Sequence, residues 1–572
     1  MNSFKGAGGR PGSGEDPKSS SVLNPPDRRP YFWMRPSLWV ILILVALVPM
    51  AVAWLQYLMF GLPNVPTTPN NLPEVAGTPH GFPVWLRVTH YVNFLFIILL
   101  ARSGLSILAD HPRLYWNVHC RPGSDWIRLT PKVIDPKTAC TVNGYWSARD
   151  DSRYISPWLA LPGFRHTVGL GRHWHFLSAL FWVANGLLFV ALLLGTGQWR
   201  RLVPTSWSIL SDAWAIQVHY MTFHLPVEPN GFYRYNALQQ LAYFGVVFIL
   251  APLQILTGLA MSPAIDNHFK WYGRLFGNRQ AARSIHFLGL LGFLGFIMAH
   301  VTMVLLTGLA RNMNHIVVGT DDLSPRGLIL GVFGVGVVVA ACALATWVTW
   351  RQPRLLQATA RVLVQGLTGR FLDPLKPRDQ YTREDISPYF WPNGKIPTSD
   401  EWTRLAANAF RDYRLLVHGA VVNPVELSLD EIKALGKREQ ITLHHCIQGW
   451  SGIAEWGGVS IARIVELVRP YPEVTRVVFH SFGEGLHSGA YYDTQTLQDA
   501  LHPQSILAYE MNYEPLGQVY GAPLRLRVEN QLGYKMVKWI RSIEFVVSAK
   551  PVGLGFGGKN EDDEYYDLVP NI

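Results

Sequence analysis

Two histidines, His286 and His300, lie inside one apolar run, RSIHFLGLLGFLGFIMAHVTMVLLTG at residues 283–308. The run is as long as the ~20 apolar residues that a bilayer-spanning helix requires. Ionisable side chains at membrane depth face the bundle interior and mark function. Fourteen residues separate the pair, and at ~1.5 Å rise and ~100° per residue they lie roughly 21 Å apart on nearly one azimuth. Two imidazoles on one flank of a membrane helix, near opposite surfaces, are the residue type and pattern that bind haem iron axially. The competing reading is polar glue within a transporter or receptor bundle.

Partners stand at the starts of two other apolar runs. Arg87-Val-Thr-His90-Tyr91, Arg172-His173-Trp174-His175-Phe176 and Arg283-Ser-Ile-His286-Phe287 repeat one pattern, R-x-x-H-[YF]. It sets a cation at the aqueous edge, to snorkel or to pair with an acidic cofactor group, and an imidazole one turn deeper. His173 is two residues from His175 and roughly 200° around the helix, so only one of them faces a given haem. The repeated register favours His175.

The elements that must position these groups follow from composition. The chain has 572 residues, 49% hydrophobic and 16% charged, which is too long for one domain and leans to a membrane protein. The four cysteines, Cys120, Cys140, Cys342 and Cys446, contain no C-x-x-C and so no zinc or disulfide framework. The net charge of +10 gathers in loops flanking apolar runs, without the aromatic and basic motifs of nucleic-acid binding. Residues 1–38 are Gly, Pro and Ser-rich and read as a disordered tail. Six apolar runs follow, at residues 39–60, 84–108, 174–197, 239–262, 284–308 and 327–350, each of membrane-spanning length. Loops 109–172 and 263–283 carry thirteen Lys and Arg against six in the opposite loops, which places both termini in the cytoplasm of a bacterial inner membrane. His175 and His286 then share one depth, and His90 and His300 the other, an arrangement for two stacked haems.

The pieces RVTHYVNFLFIILLARSGL, GRHWHFLSALFW and IHFLGLLGFLGFIMAH resemble the di-haem cytochrome b subunits of membrane-bound formate dehydrogenases and nickel-iron hydrogenases. The resemblance covers the four runs from 84 to 308 and implies two b-type haems in a four-helix bundle that exchanges electrons with quinone. The first and sixth runs lie outside it.

Beyond Arg351 the long apolar runs stop. A linker at 351–374 leads to a soluble α+β domain at 375–550, with strand candidates at 414–422, 476–482, 524–529 and 542–548 and a helix at 460–468. Residues 551–572, Gly-rich and then acidic, have the composition of an extended tail. The chemistry of this domain centres on His444-His445-Cys446-Ile447-Gln448-Gly449-Trp450-Ser451. Cys446 reads as a buried structural thiol, as part of a zinc site with the two histidines, or as a thiolate ligand for a soft redox metal. Arg525 and Lys538 are of the kind that bind a phosphate through charge-assisted bonds.

The motifs CIQGWS and HPQSILAYEMNYEPLGQVYGAPLRLRVENQLGYKMVKWI resemble the sulfite oxidase-like molybdopterin fold, above all the molybdenum subunit of the bacterial methionine-sulfoxide reductase system, over residues 390–548. By that resemblance Cys446 binds molybdenum and Ser481 falls where a Thr contacts the pterin. Arg525 falls on the phosphate-binding arginine, Met536, Val537 and Lys538 on the segment closing over the cofactor, and Asn393 on an early asparagine contact. Tyr520 replaces the Asn or His expected before Gly-Ala-Pro. Related molybdenum domains are often periplasmic, against the charge pattern here. Together the halves imply a membrane-bound oxidoreductase passing electrons between quinol, two haems and molybdenum to reduce an S-oxide or N-oxide. Oxidation of a small oxyanion such as sulfite is the reverse alternative, and CIQGWS lacks the arginines that commonly follow the cysteine in sulfite oxidases. A transmembrane electron conduit with a docking module that holds no molybdenum is a third reading.

Overall fold

The computed structural model describes residues 36–65, 81–163, 168–225, 231–365, 378–566 apart from 486 and 488, and 572. Residues 1–35 of the tail expected at 1–38, His80, His166 and the later part of the linker lie outside them, and residues 36–38 open the first helix. Among the described residues six helices are long and apolar enough to cross a membrane. They are α1 (Pro36–Phe60), α2 (Val84–Asp110), α3 (Val168–Gly195), α4 (Ala237–Ala260), α5 (Arg279–Leu306) and α6 (Arg326–Arg351). Each agrees with an apolar run to within a few residues, α3 and α5 extending further toward the soluble domain. Their faces show exposed leucine, valine and phenylalanine, the surface that lipid rather than water covers.

Caps and breaks follow local chemistry. Asn236 caps α4 in a capping box with Gln239, and the Asn278 side chain accepts from the amides of Gln280 and Ala281 to start α5. Within α4 the segment Gly245–Leu250 widens to a π-turn just ahead of Pro252, whose missing N–H removes a regular helical bond. Polar ties fix the bundle: Trp182 donates to Asn93 at 2.7 Å and Asn185 to the Thr89 carbonyl at 3.0 Å, both between α3 and α2. Arg102 of α2 donates to Thr346 and to the Cys342 carbonyl, which locks α6 against α2.

The soluble domain holds two five-stranded sheets. In chain order the strands are β1 (Arg414–Gly419), β2 (Val425–Ser428), β3 (Arg438–His445), β4 (Ser451–Ser460), β5 (Arg476–Glu484), β6 (Ala490–Thr496), β7 (Ser505–Met511), β8 (Glu514–Pro515), β9 (Arg525–Val528) and β10 (Ile540–Val546). One sheet runs β2-β1-β10-β5-β6, with β10 and β1 parallel and the other pairs antiparallel. The other runs β8-β7-β4-β3, with β9 also on β7. Helix α7 (Ile461–Val468) buries Ile461, Ile464 and Val468 after β4.

Two segments differ from expectation. The connection after α2 joins the core of the soluble domain, burying Tyr115, Cys120, Ala139 and Ala148 with Trp391 and Cys446. The C-terminal stretch, read as an extended tail, buries Tyr565, Tyr566 and Ile572 in the same core. Its acidic residues have partners that composition does not reveal: Lys535 pairs with Asp493 and with Glu561, and Tyr492 with Asp562. An ion pair buried on both sides must be matched to be tolerated, and this one fastens the chain end to β6.

Candidate functional site

In the bundle four histidines meet as two pairs. His90 of α2 and His300 of α5 have ring centroids 6.4 Å apart, and His175 of α3 and His286 of α5 have centroids 6.2 Å apart. Two imidazoles bound to opposite faces of one iron through bonds of about 2 Å put their centroids roughly 6 Å apart, so both gaps fit a haem iron. His173 turns back onto its own helix, its Nδ1 2.6 Å from the Gly169 carbonyl, and His175 is the ring that meets His286. His315 lies elsewhere, 2.7 Å from Asp321 and stacked on Phe232 at 4.6 Å. The arginines of the repeated pattern are tied down by protein. Arg87 donates to the Val317 carbonyl, Arg283 to those of His111 and Arg113, and Arg172 to the Tyr566 hydroxyl.

Cys446 ends β3 and opens a tight turn. The Gly449 amide donates to the Cys446 carbonyl, and the Cys446 amide to that of Trp450, both at 3.1 Å. Gly449 has φ of +110°, and a Cβ there would stand 3.2 Å from the Arg283 guanidinium; only glycine fits both demands. The thiol is buried and touches polar atoms only weakly, the Asn393 amide at 3.7 Å and Gln448 Oε1 at 3.8 Å. Burial pushes it up to about 12, against an opposing bond from the Gln448 amide. A thiol held protonated in this way ionises when a metal takes the sulfur.

Beside it stand two buried cations. Arg525 opens β9, donates to the Tyr520 carbonyl at 3.1 Å, and leaves its buried Nε without a partner. Its guanidinium lies over Trp456 at 4.9 Å. Lys538 donates to the carbonyls of Val519 and Asn393. Burial, with Arg527 adding, pulls Arg525 down to about 9, and burial followed by Arg525 holds Lys538 well below the ordinary lysine range. Two adjacent desolvated cations are costly unless an anion joins them, and this cradle therefore fits the phosphate of a pterin cofactor. Gly521 permits the approach: φ is +123°, and a Cβ would stand 3.0 Å from that of Lys538.

The remaining residues singled out by sequence surround this cradle in different capacities. The Asn393 side chain faces Cys446 while its carbonyl accepts from Lys538. The Tyr520 hydroxyl lies 3.0 Å from Cys140 Sγ and from the Phe390 carbonyl. Ser481, expected at the pterin, donates to the Lys538 carbonyl at 2.6 Å and accepts from the Gly483 amide. Ser481 thereby braces the Lys538 backbone. Met536 and Val537, in the segment expected to close over the cofactor, bury their side chains in the core at 4% and 1% exposure. His444 and His445 are engaged away from zinc. His444 meets Arg527 at 3.1 Å between Phe390 and Trp450, and His445 meets Arg378 at 2.7 Å.

Sequence reading missed how closely this site touches the bundle. Gln280, in the first turn of α5, donates to the Gly449 carbonyl at 2.9 Å and reaches Ser451 Oγ at 3.1 Å, with Arg279 at 3.4 Å from the same carbonyl. Trp391 donates to the Cys120 carbonyl at 2.7 Å. Gly169 of α3 packs so tightly on Tyr565 that a Cβ would stand 2.1 Å from its carbonyl oxygen. No local pattern marks Gln280 or Gly169; both matter only once the domains meet.

Comparison with known proteins agrees with both halves. Residues 81–317 match the prokaryotic cytochrome b561 model and residues 402–552 the oxidoreductase molybdopterin binding domain. A putative protein-methionine-sulfoxide reductase subunit YedZ1 of Azospira oryzae is 32% identical over 34% of this chain and 66% of its own length. The protein-methionine-sulfoxide reductase catalytic subunit MsrP of Xanthomonas axonopodis is 32% identical over 23% of this chain and 44% of its own. The uncharacterized oxidoreductase YuiH of Bacillus subtilis is 32% identical over 29% of this chain and 76% of its own. The chain thus spans less than two thirds of the first two relatives. The chain belongs to the molybdopterin-binding oxidoreductases and carries their domain behind a membrane module that matches the prokaryotic cytochrome b561 model.

Proposed function

We propose that the chain is a membrane electron-transfer enzyme in which quinol reduces two b-type haems, and these reduce a molybdopterin centre that deoxygenates an S-oxide or N-oxide. One observation carries the reading: the turn that holds Cys446 rests on the first turn of α5 through Gln280, and α5 bears His286 six residues on, roughly 9 Å along its axis. The His175/His286 pair is then the near haem and His90/His300 the far one. For a sulfoxide the balance is two electrons and two protons taken up, the sulfur–oxygen bond broken, and one sulfide and one water released. The two electrons come from one quinol, which leaves as quinone. The YedZ1 and MsrP relatives, one a reductase subunit and one a catalytic subunit, support the substrate class by their names.

Each residue has a physical task. Cys446 holds the metal through its sulfur after losing its proton, Arg525 and Lys538 neutralise the pterin phosphate, and Asn393 presents its amide at the sulfur. Bound molybdenum supplies two-electron oxygen-atom transfer, and bound haem supplies single-electron steps. The basic connection after α2 packs into the core of the soluble domain, which supports a cytoplasmic molybdenum domain. Protease access to that domain in oriented inner-membrane vesicles tests this.

A second reading, oxidation of a small oxyanion with electrons flowing outward, draws support from the cation Arg279, which lies 3.4 Å from the Gly449 carbonyl of the Cys446 turn. Purified protein decides between them. Quinol-dependent reduction of a sulfoxide supports the first reading, and haem reduction on addition of sulfite supports the second.

A further inference from the structure

The near histidine pair is held by a device that occurs twice. His175 Nδ1 lies 3.1 Å from Ser103 Oγ on α2, and His286 Nδ1 lies 3.0 Å from Thr257 Oγ1 on α4. Each hydroxyl has already placed its proton. Ser103 donates to the Leu99 carbonyl at 2.7 Å and Thr257 to the Leu253 carbonyl at 2.7 Å, one helical turn back. A hydroxyl has one hydrogen to give and two lone pairs to accept with, so with its hydrogen on that carbonyl each meets the imidazole as an acceptor. The ring nitrogen facing it therefore carries the N–H, and Nε2 carries the bare lone pair that a metal needs.

In both cases the next residue is glycine. A Cβ on Gly104 would stand 3.5 Å from His175 Cε1, and one on Gly258 would stand 3.6 Å from His286 Cε1. The supporting helix thus lies against the ring edge at contact distance, with the hydroxyl one residue away. The far pair is built differently, His300 Nδ1 lying 3.4 Å from the Tyr243 hydroxyl. Tyr243 and Thr257 are fourteen residues apart, as are His286 and His300 on the antiparallel helix, so α4 serves both histidines of α5 with two different groups.

We infer that Ser103 and Thr257 are positioning residues that fix the tautomer and orientation of both near ligands and hold the near haem at a lower potential than the far haem. The inference rests on the pairing of His175 with His286 around one haem proposed above. An imidazole that donates its distal N–H to a fixed acceptor is the more basic ligand, and a more basic axial ligand stabilises the ferric iron and lowers its potential.

Potentiometric titration of the haem absorbance in the full-length purified chain tests it. The wild type should bind two haems with resolved midpoints. Ser103→Ala and Thr257→Val should each shift the lower midpoint upward, together further than singly, and Thr257→Ser should return it. Tyr243→Phe should shift the higher one. Midpoints unmoved in the double variant would overturn the inference while leaving the pairing intact, whereas the two substitutions moving different haems would overturn the pairing and the inference together. Loss of haem in Thr257→Val that Thr257→Ser does not restore would also overturn it, because packing alone would then explain the residue. A wild type holding fewer than two haems would overturn the pairing and this inference together.

Discussion

The bundle and the soluble domain hold the residues proposed to bind metal by opposite means. In the bundle four histidines on three helices meet in pairs 6.4 Å and 6.2 Å apart, and a straight helix carries that geometry along its own repeat. In the soluble domain Cys446, Asn393, Arg525 and Lys538 come from four separate segments, only Arg525 of them within a strand, and residues of the connection after α2 and of the C-terminal stretch complete their core. One site tolerates change as long as the helical register stands. The other depends on a fold shared with the membrane part, so damage at the docking surface should reach it without touching a ligand.

Replacing ligands should separate the regions most sharply. His300→Ala is expected to remove one of two haems and spare molybdenum, and Cys446→Ser to abolish turnover while leaving both haems, as read by the haem spectrum beside metal analysis. Loss of molybdenum in the first variant, or of haem in the second, would show that the regions fold as one cooperative unit.

The phosphate cradle should come next in size. Arg525→Gln or Lys538→Met removes a charge-assisted bond worth about 1.5–3 kcal/mol, on the order of 10- to 150-fold in cofactor retention. Molybdenum and pterin content after dialysis measures it, with haem content unchanged. Gln280→Ala should cost about 1 kcal/mol of domain docking and slow haem oxidation by substrate, with both cofactors still bound.

The smallest effect concerns protons. Since burial raises the Cys446 thiol to about 12, the cofactor-free chain has it protonated at neutral pH. Metal loading must therefore release a proton, and metal affinity should increase with pH below about 12. Alkylation of Cys446 in the cofactor-free chain should stay slow at about pH 8, near the ordinary thiol range, and rise toward the higher value, as mass spectrometry of the labelled peptide can follow. Fast labelling under the milder condition would mean that the turn opens to water.

How much could be read beforehand follows from the same contrast. The fourteen-residue interval between His286 and His300 was legible because helix geometry converts spacing directly into azimuth and depth. The six crossings were legible because lipid demands a long apolar run. In the sheets a register of two says which face a residue takes but not which distant strand it meets. Arg525 and Lys538 were singled out by resemblance and by their charge, while the bond of Ser481 to the Lys538 backbone and the burial of the Met536 and Val537 side chains have no local pattern that announces them. Gly-rich β4, GIAEWGG at residues 452–458, lacks the alternation that reveals a strand, since both its faces are buried. The acidic end of the chain looked extended because nothing local marks Lys535 as its counter-charge.

Haem oxidation by substrate within a single chain tests the central claim most directly. With the haems of the purified protein reduced by a limiting amount of dithionite, addition of methionine sulfoxide should reoxidise them in the wild type and leave them reduced in Cys446→Ser. Wild-type haems that stay reduced while molybdenum is bound, or that reoxidise equally in Cys446→Ser, would contradict it.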